Sequence, residues 1–215
     1  MANQSQNHNN HQDETPYERA VLGFPNYWYP ACGAREVGTR PKPIKLLGEA
    51  LVFLRRQGKV YAIQDECPHR GALMSIGKYE FPGSSTITCR FHGFTFDVTN
   101  GSCVAALTDG PDSPVIGKLR IRTYPVEERK GIVWVWMGKG APVPIEDDVP
   151  KLILRDDTMV TYRYREVYGN WRYHAELGAD GHLPTLHADA LTKLFHRQFG
   201  YQTDWAPSIG PDKEG

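Results

Sequence analysis

The chain has 215 residues, enough for one large domain or two small ones, and its 25 basic and 25 acidic residues leave no formal net charge. Nothing in that balance suggests a nucleic-acid-binding surface or attraction to an acidic membrane face. No apolar run approaches the length of a membrane span.

Residues 1–16, MANQSQNHNNHQDETP, are polar and rich in Asn and Gln. They lack the hydrophobic core of a secretory signal and are expected to form a disordered tail. His8 and His11 in that tail read as solvated side chains. The low cysteine usage and the missing signal point to a reducing cytoplasm. A Cys32–Cys103 disulfide is open on numbers alone, but both residues read better as small buried residues or free thiols.

A first domain is expected over residues 17–140. It opens with an aromatic, turn-rich stretch, GFPNYWYPACG, that either starts a strand or wraps a core. Residues 43–47, 50–56 and 59–64 read as short strands, with Gln57-Gly58 as the turn between the last two. Cys67 then falls on a loop just beyond a strand. Residues 86–89 and 94–97 read as a hairpin with His92-Gly93 near its tip, and Pro82-Gly83 as a turn before it. Further strands are expected over 118–126 and 132–137. In the latter, Val133-Trp134-Val135-Trp136 alternates so that both Trp side chains share one face, in a packing role. Residues 141–157 lie in a stretch rich in Gly, Pro and acid and are expected as a linker. Beyond it, 158–168 alternates as a strand, and 170–177 has helical character with Asn170 as its N-cap. The fold expected is mainly β, a β-sandwich domain followed by the start of an α+β domain over 158–215.

Two constellations carry chemistry. The first is Cys67-Pro-His69 and Cys89-Arg-Phe-His92, with nineteen residues between His69 and Cys89. Two Cys-His pairs spaced C-x-H and C-x-x-H suit a [2Fe–2S] cluster of the Rieske kind, with two thiolates on one iron and two imidazoles on the other. Neutral imidazole in place of thiolate removes negative charge and eases reduction. Such clusters span roughly −150 to +300 mV, against about −400 mV for plant-type all-cysteine clusters. Gly71 and Gly93 follow the pairs, where a tight loop needs backbone freedom. A structural zinc site uses the same ligand types, but zinc fingers usually run Cys, Cys, His, His. The second constellation is Asp180-Gly-His182-Leu-Pro-Thr-Leu-His187. Two His and one carboxylate can hold a non-haem Fe(II) with open positions for O₂. His182 and His187 lie about 140° apart on a regular helix. They converge only where the helix bends, for which Gly181 and Pro184 offer places.

The segment Cys67–Asp97, with its runs CPHRGA and FHGFTFD, resembles the Rieske domain of ring-hydroxylating oxygenase large subunits. Residues 170–187, with Asn170-Trp171, Asp180 and the H-x₄-H pair, resemble the start of their catalytic domain. The respiratory Rieske proteins carry an extra disulfide-forming Cys in each loop; Ala72 and Arg90 stand there, which favours the oxygenase and ferredoxin branch. The resemblance implies Cys67, His69, Cys89 and His92 as cluster ligands, and His182 and His187 as ligands of a mononuclear Fe(II). It implies Asp180 as the bridge passing electrons to that iron from the Rieske histidine of a neighbouring subunit, through hydrogen bonds to imidazoles on both metals. It also implies a ferredoxin or flavin reductase as donor, O₂ and an aromatic or other apolar substrate, and a trimer-like homo-oligomer. Here Asp180 and His182 stand one residue apart, where the family has D-x-x-H. The family's third iron ligand is an Asp far downstream. Neither Asp189 nor Asp204 matches it, and the reading is of an N-terminal, truncated part. His174 and His196 match nothing and read as ordinary residues. The alternative is a protein that only transfers electrons, its second site vestigial and iron-free.

Overall fold

The computed structural model describes Thr15, Tyr17, residues 20–162 and residues 168–179. The chain divides into two compact units, residues 1–165 and 166–215. Among the described residues ten strands form in the first: β1 (Trp28–Gly33), β2 (Lys42–Leu46), β3 (Glu49–Arg56), β4 (Lys59–Gln64), β5 (Thr86–Thr88), β6 (Phe94–Asp97), β7 (Cys103–Ala106), β8 (Thr123–Tyr124), β9 (Val126–Arg129) and β10 (Ile132–Trp136). All pair antiparallel, in three sheets ordered β1-β10-β9, β2-β3-β4-β8 and β5-β6-β7.

The four-stranded sheet is the middle layer. Val52, Leu54 and Ile63 pack toward Ile87, Phe94 and Phe96 of the β5-β6-β7 sheet. Leu51, Phe53 and Ala62 pack the other way, against Val133 and Val135 of β10. Both faces of β3 are therefore dry, which is why 51–54 reads as an unbroken apolar run rather than an alternating one. Arg55 ties the layers together. Its guanidinium grips the Glu128 carboxylate at 2.8 and 3.1 Å and donates to the carbonyls of Ala34 and Val37.

The turn expected at Gln57-Gly58 has positive φ at both residues, as two-residue hairpin turns of right-handed twist require. Of the strand expected over 118–126, residues 118–122 form none beyond an isolated bridge between Arg120 and Ser102, and Pro125, which has no N–H to donate, separates the two short strands that follow. Thr123 and Tyr124 pair with β4, whereas Val126 onward pairs with β10, so the chain crosses from one sheet to another there. The β5–β6 hairpin forms where expected.

Trp134 and Trp136 do share a face, together with Trp28, whose ring centroid lies 5.8 Å from that of Trp136. That face is covered by residues from the stretch expected as a linker. It carries two single-turn helices, α1 (Ile145–Asp148) and α2 (Lys151–Leu154), and buries Ile145 and Val149 against the tryptophans. Trp28 Nε1 donates to the Val143 carbonyl at 2.8 Å. No strand forms over residues 158–162, contrary to expectation, and 163–167 lie outside the described residues. In the second unit, α3 (Trp171–Ala179) begins where Asn170 Oδ1 accepts the Arg172 N–H at 3.0 Å, the expected N-cap.

Candidate metal centre

The first Cys-His pair follows β4 directly, and the second spans the β5–β6 connection. In sequence the two differ in spacing, but in structure they are one loop used twice. In the first, Cys67 donates its N–H to the Ala72 carbonyl at 2.8 Å, and Gly71 donates back to Cys67 at 2.8 Å. In the second, Cys89 donates to Phe94 at 2.9 Å, and Gly93 donates back to Cys89 at 3.1 Å. In both, the glycine stands four residues after the cysteine with φ near +70° (+72° and +67°). The histidine takes the third position of one loop and the fourth of the other.

The loops sort their side chains by polarity. Cys67 and Cys89 are 2 % and 1 % exposed and belong to the core between the middle sheet and the β5-β6-β7 sheet. His69 is exposed and His92 half-buried. The imidazoles meet edge to face with centroids 4.7 Å apart, and Phe94 backs His69 at 4.8 Å. The thiols reach each other. Burial pushes the Cys67 thiol up to about 11; the His69 N–H opposes this and the Cys89 thiol adds to it. Loading such a site with metal therefore requires proton release.

This donor set fits a two-iron, two-sulfide cluster, with a thiol pair toward the core and an imidazole pair toward solvent. Among the described residues no three His, Cys, Asp or Glu side chains converge as a mononuclear site needs. All four cysteines are free thiols; burial raises Cys103, and pushes Cys32 up to about 11.

Two supports were not anticipated from sequence. Asp65, 4 % exposed, accepts the Ser75 N–H at 2.5 Å, and its own N–H donates to Ala50 at 2.9 Å, which fastens both flanks of the first loop. Thr108 Oγ1 donates to the His92 carbonyl at 2.8 Å. The run Thr108-Asp109-Gly110-Pro111 signals a turn in the sequence, but its approach to His92 is a tertiary fact. Asp180, His182 and His187 lie outside the described residues, and His174 is exposed on α3.

Residues 27–125 match the family model of the Rieske [2Fe-2S] domain. The chain is 43% identical over 178 residues to the terminal oxygenase component of carbazole 1,9a-dioxygenase from Sphingomonas sp., covering 82% of this chain and 46% of that protein. It is 40% identical over 177 residues to the corresponding component from Metapseudomonas resinovorans, with the same coverage. A solved reduced complex between oxygenase and ferredoxin in carbazole 1,9a-dioxygenase aligns with a TM-score of 0.76 at 39% identity, over 83% of this chain and 46% of that one. The chain thus spans about half the length of the relatives it matches. Among the described residues no helix is long and apolar enough to cross a membrane.

Proposed function

Because the chain belongs to the Rieske [2Fe–2S] family, and within it matches the N-terminal part of ring-hydroxylating oxygenase large subunits, we propose that Cys67, His69, Cys89 and His92 hold the cluster and that the chain serves as the electron-receiving part of an oxygenase. The observation that carries this reading is the pair of equivalent loops, with thiols in the core and imidazoles in edge contact at the surface. When bound, the cluster supplies one-electron transfer at a potential above that of all-cysteine clusters.

The residues of the chain divide the remaining work. Cys67 and Cys89 provide the anionic ligands from a site closed to water by Ile87, Phe94 and Phe96. His69 and His92 provide neutral ligands and bring the site to the surface, where a redox partner approaches. Phe94 holds the His69 ring from behind. The partner proposed is a ferredoxin, the donor present in the related complex, or a flavin reductase.

In the whole oxygenase, His182 and His187 would hold a mononuclear Fe(II). Asp180 would connect it to a Rieske histidine of a neighbouring subunit. The substrate class proposed is an aromatic or other apolar compound hydroxylated with O₂.

The test is iron and acid-labile sulfide per chain on anaerobically purified protein, with an EPR spectrum after dithionite reduction. Two sulfides with about three irons and a Rieske signal support the oxygenase reading. Two irons with two sulfides leave electron transfer alone. Zinc without sulfide, or no cluster after reconstitution, overturns both.

A further inference from the structure

We infer that Thr108 is a positioning residue for His92, fixing the backbone that presents the second imidazole; this rests on the cluster reading above. Two consecutive carbonyls of the second loop are engaged by a third loop. Thr108 Oγ1 donates to the His92 carbonyl at 2.8 Å, and the Leu107 N–H donates to the Gly93 carbonyl at 3.1 Å. The other acceptor near that hydroxyl, Asp109 Oδ1, is more distant at 3.4 Å.

The third loop is itself rigidly rooted. Asp109 and Gly110 both donate to the Ala106 carbonyl, at 3.2 and 2.9 Å. Ser113, a buried residue, donates to Asp109 Oδ2 at 3.2 Å. Ala106 is 3 % exposed and pairs with Phe94 across the β6–β7 ladder. The hydroxyl therefore links His92 to the core by a path that does not pass through Cys89.

The first loop has no counterpart. Among the described residues the His69 carbonyl accepts no hydrogen bond, and the loop closes only on itself and on the Asp65 brace. The His92 main chain is thus held from a third loop, whereas the His69 main chain is held by its own loop and its ring rests on Phe94. A partner of the ring N–H orients a ligating imidazole directly; Thr108 acts one step back, on the main chain from which the His92 ring projects, and the two histidines differ in that backbone support.

The experiment uses the full chain, reconstituted anaerobically with iron and sulfide. Thr108→Val keeps the shape and removes the donor, Thr108→Ser keeps the donor, and Thr99→Val is a control. Thr99 Oγ1 donates to Asp97 Oδ1 at 2.7 Å at the other end of β6. The readouts are EPR g values, histidine nitrogen hyperfine couplings and the rate of iron loss to a chelator. Thr108→Val is expected to shift the coupling of one histidine and to lose iron about three- to tenfold faster, the effect of one ordinary hydrogen bond. Thr108→Ser is expected to restore both, and Thr99→Val to leave both as in the parent. Parent-like couplings and rate in Thr108→Val overturn the inference, as does a Ser variant that behaves like Val or a Thr99 control that shifts equally. A parent protein without a Rieske signal after reconstitution overturns the cluster reading itself, which separates the two failures.

Discussion

Gly93 and Leu107 touch so closely that no side chain fits between them. A Cβ on Gly93 would lie 2.8 Å from Leu107 Cβ, while the Leu107 N–H bonds the Gly93 carbonyl. Gly71, its counterpart in the first loop, would place a Cβ 3.1 Å from the end of the Glu66 side chain, which can turn away. Both positions have positive φ, costing alanine roughly 1–2 kcal/mol. Gly71→Ala is therefore expected to lower stability by about that amount and keep the cluster. Gly93→Ala adds a clash with a braced loop and is expected to lose cluster as well. Iron content and thermal midpoints of the two variants check the order.

Removing a ligand tests the site directly. Cys67→Ser and His92→Ala are each expected to abolish the Rieske spectrum and the acid-labile sulfide. Far-ultraviolet circular dichroism of each variant is compared with that of the parent, so that loss of the cluster is told apart from loss of the β-sheets. A retained Rieske signal in either variant would sink the ligand assignment.

The cover over the tryptophan face is part of the folded unit. Ile145 is fully buried against Trp28, Trp134 and Trp136. Ile145→Ala is expected to cost about 2–4 kcal/mol in urea unfolding, as buried Ile truncations do. A change within about 0.5 kcal/mol, the usual range for surface positions, would mean that the segment does not pack there.

Glu36 is one contributor to acid stability away from the candidate metal centre. The Glu36 carboxylate accepts the Gly33 N–H at 2.9 Å and pairs with Lys42 at 3.0 Å; these two contacts, the Gly33 N–H first, hold its carboxyl below the usual carboxylate range. A carboxyl depressed on folding stabilises the fold above its unfolded pKa, about 4.3 for Glu, and loses that contribution as pH falls through the folded value. Glu36→Gln is expected to flatten the stability profile in that acid window and to leave its shape at neutral pH unchanged. Thermal midpoints between pH 3 and 7 for the two proteins provide the check.

The hairpins and the Rieske domain are legible because their signals are local. Gln57-Gly58 has turn chemistry, and the Cys-His pairs carry their ligand types next to each other. The equivalence of the two loops was hidden by their spacings, C-x-H against C-x-x-H, although a glycine four residues after each cysteine was in plain view. β7 went unread because Cys-Val-Ala-Ala is short and lacks alternation. The strand expected over 118–126 follows propensity too far: residues 118–122 run as turn and coil with one isolated bridge, and propensity does not show the change of sheet at Pro125. Composition alone pointed to a linker over 141–157, since Ile145 and Val149 find their partners only across the tryptophan face. The link from Thr108 to His92 joins residues sixteen apart through a third loop, and no periodicity reports such a contact.

β3 belongs to two cores at once. Val52 and Leu54 look toward the cysteines, and Leu51 and Phe53 look toward the strand that carries Trp134 and Trp136. Packing both cores on the one strand is expected to couple the unfolding of the two ends of the stack. Indole fluorescence from the outer layer accordingly acts as a remote thermometer for the other end. On heating, its emission change and the bleaching of the cluster's visible colour fall at one common midpoint.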